Sequence, residues 1–219
     1  MIKAVIFDLD GVLVTTDDCH YRAWKRMADE ENIPFDRETN HRLRGVSRME
    51  SLGIILEKAP KVYSILEKAA LAERKNTYYK NLIRSLGPEA ILPGAMATLN
   101  ALRSSGLRLA IGSSSKNTPA ILNQVGIADL FDAVADGNQI KNSKPAPDVF
   151  LLAAKKLNLS PSDCLVVEDA DAGVEAALTA GMLVLAVGAA KGHPRAHLHA
   201  GTLEDIDLAG WISKQRPSL

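Results

Sequence analysis

A chain of 219 residues, 47% of them apolar, can bury a sizeable core in one or two domains. Its 26 Lys and Arg balance 26 Asp and Glu, so there is no net field to draw in nucleic acid or an anionic membrane, and a small-molecule partner is expected. Cys19 and Cys164 are too few and too far apart for a disulfide framework or a zinc site, Met1-Ile-Lys lacks the form of a signal peptide, and no apolar run reaches the ~18–20 residues of a membrane span; the expectation is a cytoplasmic monomer.

The first element is a strand, IKAVIFD, ending in two carboxylates, Asp8 and Asp10, with Gly11 directly after them. From about Asp17 to Ser85 no convincing strand occurs. His20, Ala23, Trp24, Met27 and Ala28 recur at the spacing of one helical face, with Thr16 or Asp17 as the cap, and further helices are expected at about 36–43, 48–58 and 62–84. From Leu86 onward, short apolar runs alternate with amphipathic stretches: LRLAIG at 107–112, AVAD at 133–136, CLVVED at 164–169 and MLVLAVG at 182–188. Strands apolar on both faces and alternating with helices predict a doubly wound, Rossmann-like parallel sheet. The expected division is an α/β core of residues 1–15 and 86–219 with a small helical cap domain, 16–85, inserted into it.

At the carboxyl ends of these strands stand Asp8 and Asp10, then Ser113, then Lys144 a few residues past the third strand, then Glu168 and Asp169. That edge of an open α/β sheet is where ligands bind. Four carboxylates gathered there repel one another unless a cation or a proton compensates, and Mg²⁺, a hard ion that prefers oxygen and accompanies phosphates, fits the need. A serine hydroxyl and a lysine ammonium suit the oxygens of a transferring phosphoryl group. Asp8 is then the nucleophile and Asp10 the acid and base two residues away, so the spacing predicts phosphoryl transfer.

DLDGV, the Ser113 strand end, the Lys-Pro of SKPAPD and the Glu-Asp of VVEDADAG, in this order, resemble the haloacid dehalogenase superfamily of phosphotransferases. HYRAWK at 20–25, LRGVSR at 43–48, ERKN at 73–76 and SSSKN at 113–117 bring the likeness closest to its sugar phosphomutases, along the chain to about Gly188. The resemblance implies that Asp8 is phosphorylated and binds magnesium. It makes Asp10 the general acid/base and a main-chain metal ligand, Asp169 the other direct carboxylate ligand, and Glu168 a support of the coordination shell. Ser113 and Lys144 correspond to groups at the transferring phosphate, with Ser114 beside them as a structural residue or backbone donor; Arg48, Ser115, Lys116 and Asn117 correspond to those at a second, distal phosphate. His20 and Lys75 correspond to residues that couple cap closure to the acid/base, with Trp24, Gly45, Val46 and Ser47 beside them in substrate binding.

A mutase whose bisphosphate turns end for end needs two anion sites, whereas a phosphatase needs one. The implied reaction is interconversion of β-D-glucose 1-phosphate and glucose 6-phosphate, with hydrolysis of a small phosphomonoester as the alternative. Position 15 is Thr15, where many members of the superfamily carry aspartate, which leaves the hinge chemistry open. His193, His197 and His199 read as a solvated loop, since no carboxylate or cysteine accompanies them in the sequence.

Overall fold

The structure, a computed structural model, describes residues 1–43 and 46–215. Six parallel strands form one sheet in the order β3-β2-β1-β4-β5-β6: β1 (Ala4–Phe7), β2 (Arg108–Gly112), β3 (Ala133–Ala135), β4 (Cys164–Glu168), β5 (Leu183–Ala186) and β6 (Leu198–His199). Strand β1 pairs with β2 on one side and β4 on the other, so the chain winds outward in both directions from the centre, the doubly wound arrangement expected. Ala4, Val5, Ile6 and Phe7 fill β1 on both faces with no exposure, as a strand covered on both sides requires. Ile6, Val166 and Val184 pack with Phe150 and Ala153 of α7 (Asp148–Lys156) and Val174 and Ala177 of α8 (Asp171–Thr179). Strand β2 also carries α5 (Ala95–Ser104), which packs against α9 (Leu208–Lys214), and α6 (Thr118–Val125) follows β2 in the chain.

Two compact units divide the molecule, residues 1–15 with 87–219 and residues 16–86. The second is helical: α1 (Asp17–Glu30), α2 (Arg37–His41), α3 (Arg48–Leu56) and α4 (Ile65–Ile83). Its core joins Trp24 and Met27 of α1, Leu52 and Ile55 of α3, and Leu71 and Ala72 of α4. Helices α3 and α4 both begin with a capping box. Ser47 and Ser64 accept from the backbone N–H of Glu50 and Glu67, whose carboxylates accept from the serine N–H groups in return.

Local reading and structure part company in a few places. Helix α4 begins at Ile65, after Ser64 as cap, instead of near Val62, and α3 ends at Leu56. Thr16 occupies the cap position of α1 without capping it; its hydroxyl is the acceptor for Tyr79 Oη at 3.0 Å. Strand β6 lies where the histidine-rich stretch suggests only a loop. His197 Nδ1 accepts from the Val184 N–H at 3.2 Å, and a carboxylate does accompany the cluster, Glu175, 3.2 Å from His193 Nε2.

Candidate functional site

In the α/β unit the register pairs Phe7 with Val167, which sets Asp8, the next residue of the first chain, beside Glu168 of the second. The Asp8 N–H donates to the Val167 carbonyl at 3.0 Å, so the carboxylate is delivered by an ordered strand end. Lys144 reaches the same place on the segment ahead of α7, after which the Lys144–Pro145 peptide is cis. Its Nζ donates to Asp8 Oδ1 and, at 2.5 Å, to Glu168 Oε1, with the Phe150 ring centroid 4.7 Å away. Burial alone lowers a lysine pKa; here the charges of Asp8 and Glu168 outweigh it and the pKa rises above the ordinary lysine range. The other Glu168 oxygen accepts from the Ala170 N–H at 2.9 Å, so this carboxylate is committed to protein donors. A side chain at Gly173 would collide with it.

Asp169 has a different environment. Burial first, then the charges of Glu168, Asp8 and Asp10, push its pKa well above the carboxylate range. Gly11, at φ +88°, takes a left-handed conformation that glycine adopts readily, and any Cβ there would run into the Asp169 carboxylate. The sharp exit after Asp10 and the space for Asp169 therefore depend on the same residue.

Beyond β2, the Ser113 hydroxyl, buried at the strand end, accepts from the Ser115 N–H at 3.2 Å, and the Ser115 hydroxyl accepts from the Asn117 N–H, also at 3.2 Å. These local bonds fold Ser113–Asn117 into a turn that leads into α6, with Pro119 in its first turn. Lys116 is exposed, whereas Asn117 is buried at the cap position. The Ser114 hydroxyl is buried and has no hydrogen-bond partner among the described residues. The turn is braced from β3: Asn138 Nδ2 donates to the Lys116 carbonyl at 2.9 Å, and the Gly137 N–H donates to the Ser115 carbonyl at 3.2 Å. Buried Asp136 orders that bracket by accepting from the Asn138 N–H at 2.8 Å. Asp136, Gly137 and Asn138 escaped the sequence reading; the Asp-Gly-Asn run at a strand end is the signal that marks such a turn.

The remaining candidates belong to the helical unit. Lys75 Nζ lies 2.9 Å from His20 Nδ1 and sits over the Trp24 and Tyr79 rings, 4.7 and 4.6 Å from their centroids. Burial, followed by the charges of Lys75 and Arg48, depresses the His20 pKa well below 6.5, so the imidazole is neutral and accepts from the ammonium through Nδ1. Trp24 is 2% exposed and forms part of this unit's core. Val46 is half-buried, and the Ser47 hydroxyl is used as the cap of α3. Gly45 lies outside the described residues. Arg48, the first residue of α3, donates from Nη2 to Asn76 Oδ1 at 2.9 Å. Asn76 enters the sequence reading only as the last residue of ERKN, with no role of its own, although two polar residues, Lys75 and Asn76, interrupt the buried face formed by Ala72, Tyr79 and Ile83.

Among the described residues, no three His, Cys, Asp or Glu side chains form a ready-made metal cage. Lys144 and Ala170 already engage Glu168, which leaves Asp8, Asp169 and the main chain of Asp10 as the donor set. Two carboxylates and a carbonyl, with water and phosphate completing the shell, is a usual provision for Mg²⁺, and the crowding at Asp169 gives such a cation a role.

Residues 2–181 match the family model of the haloacid dehalogenase-like hydrolases. The β-phosphoglucomutase of Bacillus subtilis strain 168 is 46% identical over 195 residues, covering 88% of this chain and 85% of that protein. A phosphorylated carbohydrates phosphatase of Thermotoga maritima is 33% identical over 185 residues, covering 83% and 82%. Among solved structures, the β-phosphoglucomutase of Clostridium difficile superimposes with a TM-score of 0.90 at 40% identity, covering 98% of this chain and 96% of that one.

Proposed function

The chain belongs to the haloacid dehalogenase-like hydrolases, and from that premise we propose that it is a β-phosphoglucomutase, interconverting β-D-glucose 1-phosphate and glucose 6-phosphate. The geometry supports this through two separate anion-binding groups. One surrounds Asp8, with Lys144 and the Ser113 turn; the other is the ordered Arg48 guanidinium of the helical unit. A monophosphate substrate needs both, one for the phosphate it carries and one for the phosphate it receives.

Asp8 carries the phosphoryl group as an aspartyl phosphate. As the sugar hydroxyl attacks phosphorus, Asp10 takes its proton, the bond to Asp8 breaks and a glucose 1,6-bisphosphate forms. After the bisphosphate turns over, Asp8 attacks the other phosphorus and Asp10 returns the proton to the departing sugar oxygen. Lys144 and Ser113 hold the non-bridging oxygens in both halves. Mg²⁺, when held by Asp8, Asp169 and the Asp10 carbonyl, supplies charge neutralisation for the transferring group. Arg48, with Ser115, Lys116 and Asn117, is assigned to the phosphate not in transfer, and His20 and Lys75 to the sugar side of the reaction. All these groups lie in one chain, so a monomer suffices, and the two free cysteines suit a reducing cytoplasm.

Hydrolysis of a sugar phosphate is the second reading, favoured by the similarity to the Thermotoga phosphatase. The test supplies β-glucose 1-phosphate, Mg²⁺ and a trace of the bisphosphate, and follows glucose 6-phosphate against free phosphate. Glucose 6-phosphate is expected as the main product. Arg48→Ala is expected to lose at least about tenfold in kcat/KM on the sugar phosphate, the worth of a charge-assisted bidentate contact, and far less on acetyl phosphate. Free phosphate as the main product, or no effect of Arg48→Ala on the sugar phosphate, would transfer the assignment to a phosphatase.

A further inference from the structure

We infer that Asn76 is a positioning residue for Arg48, holding the guanidinium in place with a neutral partner so that its charge stays available to the non-reacting phosphate. The inference rests on the mutase reading and deepens it. Asn76 lies mid-helix in α4 and is 5% exposed, a costly place for an amide unless it is bonded. Its Oδ1 accepts from Arg48 Nη2 at 2.9 Å, while its Nδ2 faces Glu73 Oε1 at 3.4 Å. The carboxylate therefore selects the amide orientation, since the flipped form would set NH₂ against the guanidinium donors and a carbonyl against Glu73. Glu73 itself approaches Arg48 Nη1 only to 3.6 Å and its side chain is 65% exposed, so solvent screens its charge.

The chemistry explains why an amide suits this position. A guanidinium has five N–H donors, and a single bond from Nη2 fixes its plane while the remaining donors can still serve a phosphate. A carboxylate at the same distance would fix the plane equally well but would neutralise the cation and repel the incoming anion. Local backbone structure completes the placement, because the Ser47–Glu50 capping box sets the start of α3 and Arg48 is its first residue.

The test compares Asn76→Ala, Asn76→Asp and Asn76→Ser in steady-state kinetics on β-glucose 1-phosphate, beside acetyl phosphate hydrolysis and thermal melting of each variant. Asn76→Asp is expected to raise the sugar-phosphate KM on the order of tenfold, and Asn76→Ala and Asn76→Ser roughly two- to fivefold, with acetyl phosphate hydrolysis unchanged. A merely structural asparagine predicts the reverse order, because aspartate is nearly isosteric and keeps the acceptor. In the Arg48→Ala background the Asn76→Ala effect on KM is expected to vanish. An Asp variant milder than the Ala variant, or full additivity with Arg48→Ala, would overturn the inference; if one variant fails to fold, the serine variant and the double-mutant comparison still decide. Failure of the mutase reading is seen separately, in wild-type protein that releases phosphate without forming glucose 6-phosphate.

Discussion

Asp8 and Asp10 differ in what surrounds them, and that difference suits the separate duties proposed for them. Asp8 is 8% exposed, follows the last pair of a central strand and is bonded by the Lys144 ammonium, so its carboxyl group is aimed from a rigid element. Asp10 lies past it, at the turn that Gly11 makes possible, and is more open to solvent, which suits the acid/base role proposed for it. On the proposed mechanism, replacing the Asp8 carboxylate by an amide in Asp8→Asn is expected to abolish the phosphoenzyme, read as loss of an acid-stable, alkali-labile phosphate label. Asp10→Asn is expected to slow transfer by roughly 10²–10⁴, the usual contribution of general acid–base catalysis, with Mg²⁺ binding retained because the ligand proposed there is the main-chain carbonyl. A labelled Asp8→Asn, or wild-type turnover in Asp10→Asn, would refute these roles.

Helix α4 places three polar residues, Lys75, Asn76 and Tyr79, on its buried face. Its start is set by a reciprocal pair: Glu67 Oε2 accepts from the Ser64 N–H at 2.8 Å, and the Ser64 hydroxyl accepts from the Glu67 N–H at 3.3 Å. The backbone bond from Ser64, helped by its hydroxyl and Lys61, draws the Glu67 pKa down to about 2. For a carboxylate whose pKa is lowered on folding, the stabilisation is present above the unfolded value of 4.5 and is lost as the pH falls toward about 2. The stability difference between wild type and Glu67→Gln is therefore expected at pH 6 and should shrink to nothing by about pH 2, measured by urea unfolding at each pH. Ser64→Ala is expected to cost about 1 kcal/mol at neutral pH, as loss of an N-cap generally does. A Glu67→Gln difference that persists undiminished into acid would mean the box has another origin.

For the whole molecule, the decisive event is that parallel pairing of β1 with β4 brings acids about 160 positions apart in the chain to one edge. The sheet thereby assembles a charge problem as well as a site. Lys144 answers it for Asp8 and Glu168 but leaves Asp169 strongly disfavoured as an anion. In chelator at neutral pH, Asp169→Asn is accordingly expected to raise the melting temperature while abolishing activity. Mg²⁺ should raise the wild-type melting temperature in a concentration-dependent way, by the equivalent of about 2.7 kcal/mol at a hundredfold excess over Kd. That shift should be absent in Asp169→Asn. Equal magnesium stabilisation of both proteins, read by calorimetry, would remove Asp169 from the ligand set.

The order of elements was legible in the sequence because it is written in local patterns. Apolar runs of four or five residues mark the strands, 3.6-residue periodicity marks α1, and chemistry-bearing residues just past Phe7, Gly112 and Val167 mark the edge where a parallel sheet binds ligands. Other features depended on partners far along the chain. The two-residue β6 has no pattern of its own and exists because β5 offers it unpaired backbone groups, with Leu185 opposite Leu198. Thr16, suited by type to capping α1, instead bonds to Tyr79 of α4, far along the chain. Asn76 reads as an ordinary polar helix residue until α3 brings Arg48 to its amide oxygen. Propensity and periodicity act over one turn or one strand, so by itself the sequence determined which segments become which elements and where each reactive side chain leaves its element. Burial and register act between segments, so only the tertiary structure decided that Lys144 would bridge Asp8 and Glu168, that Asp169 would be left crowded, and that a neutral amide would hold Arg48.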